Sequence, residues 1–303
     1  METEIAGPEG IERAIAHLKA GRPVAFPTET VYGLGAPLFS EPAVAEIFRI
    51  KKRPTDNPLI VHVAGIEGLH ALCPEVPGEA LALCSAFWPG PLTLVLPQGE
   101  KIPPLVSAGH PTIAIRMPNH PIALALIRGV GEPLVAPSAN LSGRPSPTCA
   151  EHVKEDLAGR VSMILDGGPC EIGIESTVIS LVDRPVLLRP GQIRVQEIEA
   201  VLGQKVALPS KETPAHSPGM KYRHYAPKAK VRLCTNRSEI KSSFVLSLHP
   251  QEGERLLRKK DLFASFREAD RLGVLAIDVD CSPELEEDLA LLNRLVRAAE
   301  SGP

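Results

Sequence analysis

The chain has 303 residues, 44% of them apolar and 23% charged, a composition that supports an ordinary globular core. At about 150 residues per domain, its length predicts two domains. A net charge of −3 excludes a globally basic protein that coats nucleic acid, and no apolar run reaches the ~18 residues of a membrane span. The opening METEIAGPEG lacks a basic and then apolar leader, so a signal peptide is not expected. The six cysteines form no CxxC pair and stand far apart. This argues against structural zinc or a disulfide framework, and the expected setting is the reducing cytoplasm, with no membrane association.

In chain order, a first helix carries Ile11, Ile15 and Leu18 on one face and stops at Gly21. Val24 to Pro27 reads as a buried strand. Ser40 is positioned to cap a helix with Val44, Ile47 and Ile50 inward, ending before Pro54. LIVHV (Leu59 to Val63) is a strand, EALALCSAFW a helix, and LTLVL the next strand. TIAIR (Thr112 to Arg116), a helix from His120, and the strand LVAP follow. Thr148 and Glu151 match a capping box for another helix. STVISL and VLL close this region. Strands and helices alternating in this way predict an α/β layer fold with a partly parallel sheet over residues 1–205.

Residues 206–230 are rich in Pro, Lys and small polar residues and read as a linker, with Tyr222, His224 and Tyr225 as candidates for a lid over the site. Beyond it, VRLC, FVLSL and VLAIDV are strands. A last helix after Ser282-Pro283 has Leu285, Leu289, Leu292 and Val296 as its expected apolar face, and Arg294 and Arg297 in its last turns suit the macrodipole. A small α/β domain is therefore expected over 231–303.

The nucleotide loops GxxxxGK[ST] and GxGxxG are absent, as are HExxH and GxSxG. Polar clusters instead recur at strand ends: PTETVYGLG, Lys51-Lys52-Arg53 with PTDN, Arg116, PSANLSGRPSPT, Ser176 and Arg189. Ligands of open α/β sheets gather in such crevices. Alternation puts Thr112, Ala114 and Arg116 on one face of their strand, with Ile113 and Ile115 on the other, and sets His62 beside Ile60. Separated cations with hydroxyl donors between them suit a polyanion such as a triphosphate. Each element alone also reads blandly, as a solvated arginine, a basic helix end or a turn-rich loop. The residues by themselves reach only an α/β enzyme or binding protein with an anion crevice.

Taken together, PTETVYGLG, KKRPTDNPLIVHV, TIAIRMP, APSANLSGRPSPT, IESTVI, LLRPG and SPGMKYRHYAP closely resemble the threonylcarbamoyl-AMP synthase family. The last block points to its long form, a YrdC-like domain with an additional C-terminal domain. The resemblance implies a twisted mixed sheet with helices around a concave basic cavity, followed by a small Rossmann-like α/β domain. It implies synthesis of threonylcarbamoyl-adenylate and pyrophosphate from ATP, L-threonine and bicarbonate, with Mg2+ accompanying ATP. The product would pass to a tRNA threonylcarbamoyl transferase complex that modifies the adenosine beside the anticodon.

Carried over by motif, Thr30, His62, Arg116, Ala136 and Ser176 are the implied threonine contacts, Ala136 through its backbone or shape alone. Arg53, Asn57, Thr112, Ser138, Asn140, Ser146 and Arg189 are the implied ATP contacts. Lys51, Arg53 and Arg116 are the expected catalytic set, acting by charge and position, since no nucleophile signature is present. Two rival readings stand beside this one. Lys221, Arg223, Lys228, Lys230 and Arg232 form a basic stretch suited to weak RNA binding by a non-catalytic module. Carbamoyl transfer in hydrogenase maturation also uses a YrdC-like domain, but with CxxC zinc fingers that this chain lacks.

Overall fold

In the computed structural model, residues 2–208 and 224–300 are described. The chain begins with β1 (Glu4–Ala6), α1 (Ile11–Lys19), β2 (Val24–Phe26), β3 (Gly33–Pro37), α2 (Glu41–Lys51), β4 (Ile60–His62), α3 (Ile66–Leu72) and α4 (Gly78–Phe87). It continues through β5 (Leu92–Pro97), α5 (Pro104–Ser107), β6 (Thr112–Arg116), α6 (Pro121–Val130), β7 (Leu134–Val135), α7 (Ala150–Leu157) and β8 (Met163–Leu165). The first unit ends with β9 (Thr177–Ser180), β10 (Val186–Arg189) and α8 (Val195–Leu202). A second unit follows: β11 (Lys230–Cys234), β12 (Val245–Ser247), β13 (Arg255–Leu256), α9 (Leu262–Arg271), β14 (Ala276–Asp280) and α10 (Leu289–Ala299). No helix among the described residues is long and apolar enough to cross a membrane.

The first ten strands make one mixed sheet in the order β1-β8-β2-β3-β7-β4-β6-β5-β9-β10. The other four make a parallel sheet, β11-β14-β12-β13. Alternation along the central strands sorts the large sheet into two faces. Val61, Leu94, Ile113, Ile115, Ile179 and Leu187 join the main core under the helices. Ile60, Val95, Ala114, Val178 and Leu188 form a small apolar floor on the opposite, concave face. His62, Thr93, Arg116 and Ser176 lie two residues from members of that floor, so they share its face.

Arg189 breaks this rule. Strict alternation would send it to the core with Leu187. The β9–β10 register shifts between Leu187 and Arg189, setting Leu187 against Ile179 and Arg189 against Val178. That bulge puts Arg189 on the concave face.

Several local expectations are corrected. Ser40 makes no side-chain cap; α2 ends instead where Lys52 turns left-handed at φ 52°. The Thr148–Glu151 capping box does not form, because α7 starts at Ala150 and the Thr148 hydroxyl meets His152 Nδ1 at 3.2 Å. The final helix is split by a 3-10 turn over Pro283–Glu287, and Asp288 then caps α10 by accepting from the Leu291 amide at 3.1 Å. The restart rotates the helix. Leu291, Arg294, Leu295 and Ala298 turn inward, while Leu289 and Val296, expected inside, are exposed. The last three residues of the PTETVYGLG block open strand β3 (Gly33–Pro37), and β1, β8 and α8 add to the elements expected from the sequence.

The two units share buried surface. Val31 and Ile174 of the first belong to the core of the second, along with Tyr225, Phe263 and Leu291. Arg267 of α9 is fully buried and reaches Asp156 at 2.9 Å, Glu155 at 3.1 Å and the Pro145 carbonyl at 2.6 Å. Gly173 has φ +80°, and an added Cβ would stand 2.5 Å from the Lys260 backbone. Gly173→Ala should therefore lower stability by at least about 2 kcal/mol, from left-handed strain plus a backbone clash. Gly253→Ala, at φ +83° in open space, should cost only about 1 kcal/mol. Chemical denaturation of both variants checks this; equal losses would contradict a tight approach at Gly173.

Candidate active site

One cavity opens over the apolar floor, with about 700 Å³ of empty space including its mouth. Thr30, Lys51, Arg53, His62, Arg116, Ala136, Ser138, Asn140, Ser176 and Arg189 all line it, joined by Glu175, His224 and Tyr225. Residues from both halves of the first unit and from the end of the linker, His224 and Tyr225, thus meet in one hollow. Three expected contacts are not among the lining. Asn57 is buried beside it and offers its carbonyl to Arg53 Nε at 3.2 Å. Ser146 lies behind the wall, its hydroxyl bonded to Glu175 Oε1. Thr112 starts β6, four residues from Arg116, which is about 13 Å along an extended strand.

Four cations converge here, and protein oxygens hold each one. Lys51 is 1% exposed, and its ammonium bonds the Ser138 and Asn140 carbonyls. Burial, with Arg53 nearby, pushes its pKa well below the ordinary lysine value against the pull of Asp156. Arg53 also bonds the Pro58 carbonyl at 2.9 Å, and burial draws its guanidinium down to about 10. Arg189 donates to the Ser176 carbonyl at 3.1 Å and hydroxyl at 3.2 Å, and it also bonds Tyr225. Arg116 donates to Thr30 Oγ1 at 2.8 Å and the Gly90 carbonyl at 3.2 Å, and pairs with Glu29 at 2.6 Å. Guanidinium carries five N–H donors, so on Arg53 and Arg116 these contacts leave some of them available to a ligand.

The hydroxyls are also prearranged. Ser176 Oγ meets Thr93 Oγ1 at 2.7 Å, and Thr30 Oγ1 meets Thr28 Oγ1 at 2.8 Å. The Ala136 amide is committed to the Ile60 carbonyl at 3.0 Å. Five lining atoms among the described residues are buried with no hydrogen-bond partner: His62 Nδ1, Asn140 Oδ1, Ser142 Oγ, His224 Nε2 and Arg116 Nη2, the last held by its ion pair with Glu29. Buried polar atoms are rarely left so, and a polar ligand filling the cavity would satisfy them. Burial and Arg116 lower the His62 pKa to about 3, and burial and Arg53 lower that of His224 to about 3. Both imidazoles are therefore neutral at pH 7 and add no charge to the hollow.

Glu29, Glu175, Thr28 and Thr93 were not singled out from the sequence. Glu29 and Glu175 lie inside the PTET and IEST blocks, beside hydroxyl-bearing neighbours whose chemistry is the stronger sequence signal. Tyr222 and the linker over 209–223 lie outside the described residues. Among the described residues, no three His, Cys, Asp or Glu side chains cluster to hold a metal ion.

Comparison with known proteins adds a second line of observation. The family model described as "Telomere recombination" (Sua5/YciO/YrdC) matches residues 16–191. The model described as "Threonylcarbamoyl-AMP synthase, C-terminal domain" matches residues 193–300. The threonylcarbamoyl-AMP synthase of Bacillus subtilis is 45% identical, spanning 95% of this chain and 92% of its own length. That of Pyrococcus abyssi is 44% identical, over 95% of this chain and 94% of the relative. A crystal structure of Pyrococcus abyssi Sua5 complexed with L-threonine superposes with a TM-score of 0.90 at 42% identity, covering 98% of each chain.

The buried neutral state of His62 has a pH signature. Its folded pKa is about 3 against 6.5 for the free side chain. Below pH 6.5 the unfolded chain takes up a proton that the folded chain refuses, so stability falls with falling pH. Between pH 6 and pH 4, His62→Gln should make that fall shallower by about 1 kcal/mol per pH unit, read from urea midpoints. Identical slopes for both proteins would contradict the assignment.

Proposed function

The chain belongs to the threonylcarbamoyl-AMP synthase family in its two-domain form, and from that premise we propose that it makes threonylcarbamoyl-adenylate and pyrophosphate from ATP, L-threonine and bicarbonate. The observation that carries this reading is the single cavity lined by Arg53, Arg116, Ser138, Ser176 and Arg189 together. The product, a labile mixed anhydride, would be handed to a tRNA threonylcarbamoyl transferase complex.

The proposed chemistry needs no protein nucleophile. The threonine amine and bicarbonate condense to a carbamate with loss of water. A carbamate oxygen attacks the α-phosphorus of ATP, the bond to the β-phosphate bridging oxygen breaks, and pyrophosphate departs with its electrons. Catalysis then rests on alignment and charge. Arg116 uses its remaining N–H groups on the threonine carboxylate, beside Thr30, His62 and Ser176. Arg53 and Arg189 offset charge on the phosphates, with Ser138 and Asn140 at their side. Lys51 acts by holding the Ser138 and Asn140 carbonyls in the cavity wall. Asn57 contributes through Arg53, and Ser146 through Glu175. Mg2+ would accompany ATP as part of the substrate and would help offset its phosphate charge.

Pyrophosphate release with MgATP and bicarbonate should require threonine and should not be supported by valine. Arg116→Lys, which gives up the planar fork, should raise the threonine KM by about tenfold or more. Release that is indifferent to the amino acid would overturn the reading. An unchanged threonine KM in the variant would reject the role given to Arg116.

A further inference from the structure

We propose that Arg294, on α10 of the C-terminal unit, is a positioning residue for the nucleotide side of the cavity, acting through Glu175 and Pro190 on Arg189 and Ser146. The inference rests on the ATP reading above and names a residue from the other domain as part of that wall. Arginine near the end of a final helix ordinarily projects into solvent. Here the restart of the helix at Asp288 turns Arg294 inward, where it is 0% exposed. Its Nε donates to Glu175 Oε2 at 3.1 Å and its Nη2 to the Glu175 carbonyl at 3.1 Å. Its Nη1 donates to the Pro190 carbonyl. Glu175 immediately precedes Ser176, and Pro190 immediately follows Arg189. One guanidinium therefore fastens the chain neighbours of two cavity residues and fixes their separation. It also lies 5.6 Å over the Tyr225 ring, and Tyr225 in turn bonds Arg189.

The electrostatics point the same way. Glu175 lines the cavity, and its other oxygen is bonded to Ser146. Burial alone would raise its carboxyl pKa, but Arg294, Arg189 and Ser146 outweigh burial and leave it lowered. An anion in this wall would repel a triphosphate unless it is neutralised from behind. Arg294 supplies that charge, which leaves Arg189 free to keep its bonds to Ser176. Without Arg294, Glu175 is a buried carboxylate that still interacts with Arg189. It would then draw Arg189 away from the nucleotide.

The test is steady-state pyrophosphate release by the full chain, with ATP and threonine varied separately. Arg294→Met should raise the ATP KM by about tenfold or more, against no more than about threefold for the threonine KM, which Glu175 reaches through its neighbour Ser176. In Arg294→Met/Glu175→Gln the unpaired carboxylate is gone while the ties to the Pro190 and Glu175 carbonyls stay lost, so the ATP KM should fall by about threefold from the single variant without reaching wild type. Arg294→Lys keeps the charge but not the fork, and should raise the ATP KM by less than the methionine variant, about threefold; it decides the matter should the methionine variant not fold. A variant whose only change is a smaller active fraction, counted by calorimetric threonine stoichiometry, would overturn the proposal. So would parallel rises in both KM values, or a double variant no better than the single. If wild type releases no threonine-dependent pyrophosphate, the parent reading fails before any variant is compared.

Discussion

Like charges gathered in one partly buried hollow are the constraint on which the rest of the structure depends. Lys51, Arg53, Arg116 and Arg189 all line a cavity whose floor is apolar. Without compensation, such a group of cations would spread apart or lose protons. The fold offsets them with oxygen: carbonyls of Asn57, Pro58, Gly90, Ser138, Asn140 and Ser176, and the carboxylates of Glu29 and Glu175. His62 and His224 stay neutral beside them. The compensation is incomplete by design of the chemistry: donors remain on the guanidinium groups, and an anionic ligand completes the balance.

This constraint also explains why the second unit is bound so closely to the first. Arg267 and Arg294 enter from α9 and α10 and take hold on either side of Ser146, at the Pro145 carbonyl and at Glu175. Val31, next to Thr30, packs into the second core rather than the first. The loop bearing Gly173 returns amides to the Glu29 and Thr30 carbonyls, so the wall around Arg116 is braced from the same side. The C-terminal unit thereby forms part of the support for the cavity wall.

Strong period-two and amphipathic patterns made much of the fold legible in the sequence. TIAIR and LIVHV declared their two faces, and α1 declared its buried Ile15 and Leu18. The site was legible as a set of cationic and hydroxyl-bearing blocks, and the resemblance joined them. What stayed hidden depends on events that shift a pattern by one residue. The bulge that turns Arg189 toward the cavity cannot be seen in VLLRPG, whose alternation points the other way. The 3-10 turn before α10 rotates that helix, so Arg294 looks like a dipole-compensating surface residue when it is buried. GLGAP pairs as a central strand because its neighbours bury it, although its composition reads as a turn. Glu29 and Glu175 are acidic residues in a site sought by its cations, and their role appears only once their partners are known.

The most direct measurement is a crystal structure of the full chain with a non-hydrolysable threonylcarbamoyl-adenylate analogue. A single bound molecule should span the cavity, its amino-acid carboxylate on Arg116 beside Thr30 and its phosphate between Arg53 and Arg189 near Ser138. An analogue seated outside this hollow, or one whose two halves leave Arg116 and Arg189 untouched, would contradict the convergence of charge on which the account stands.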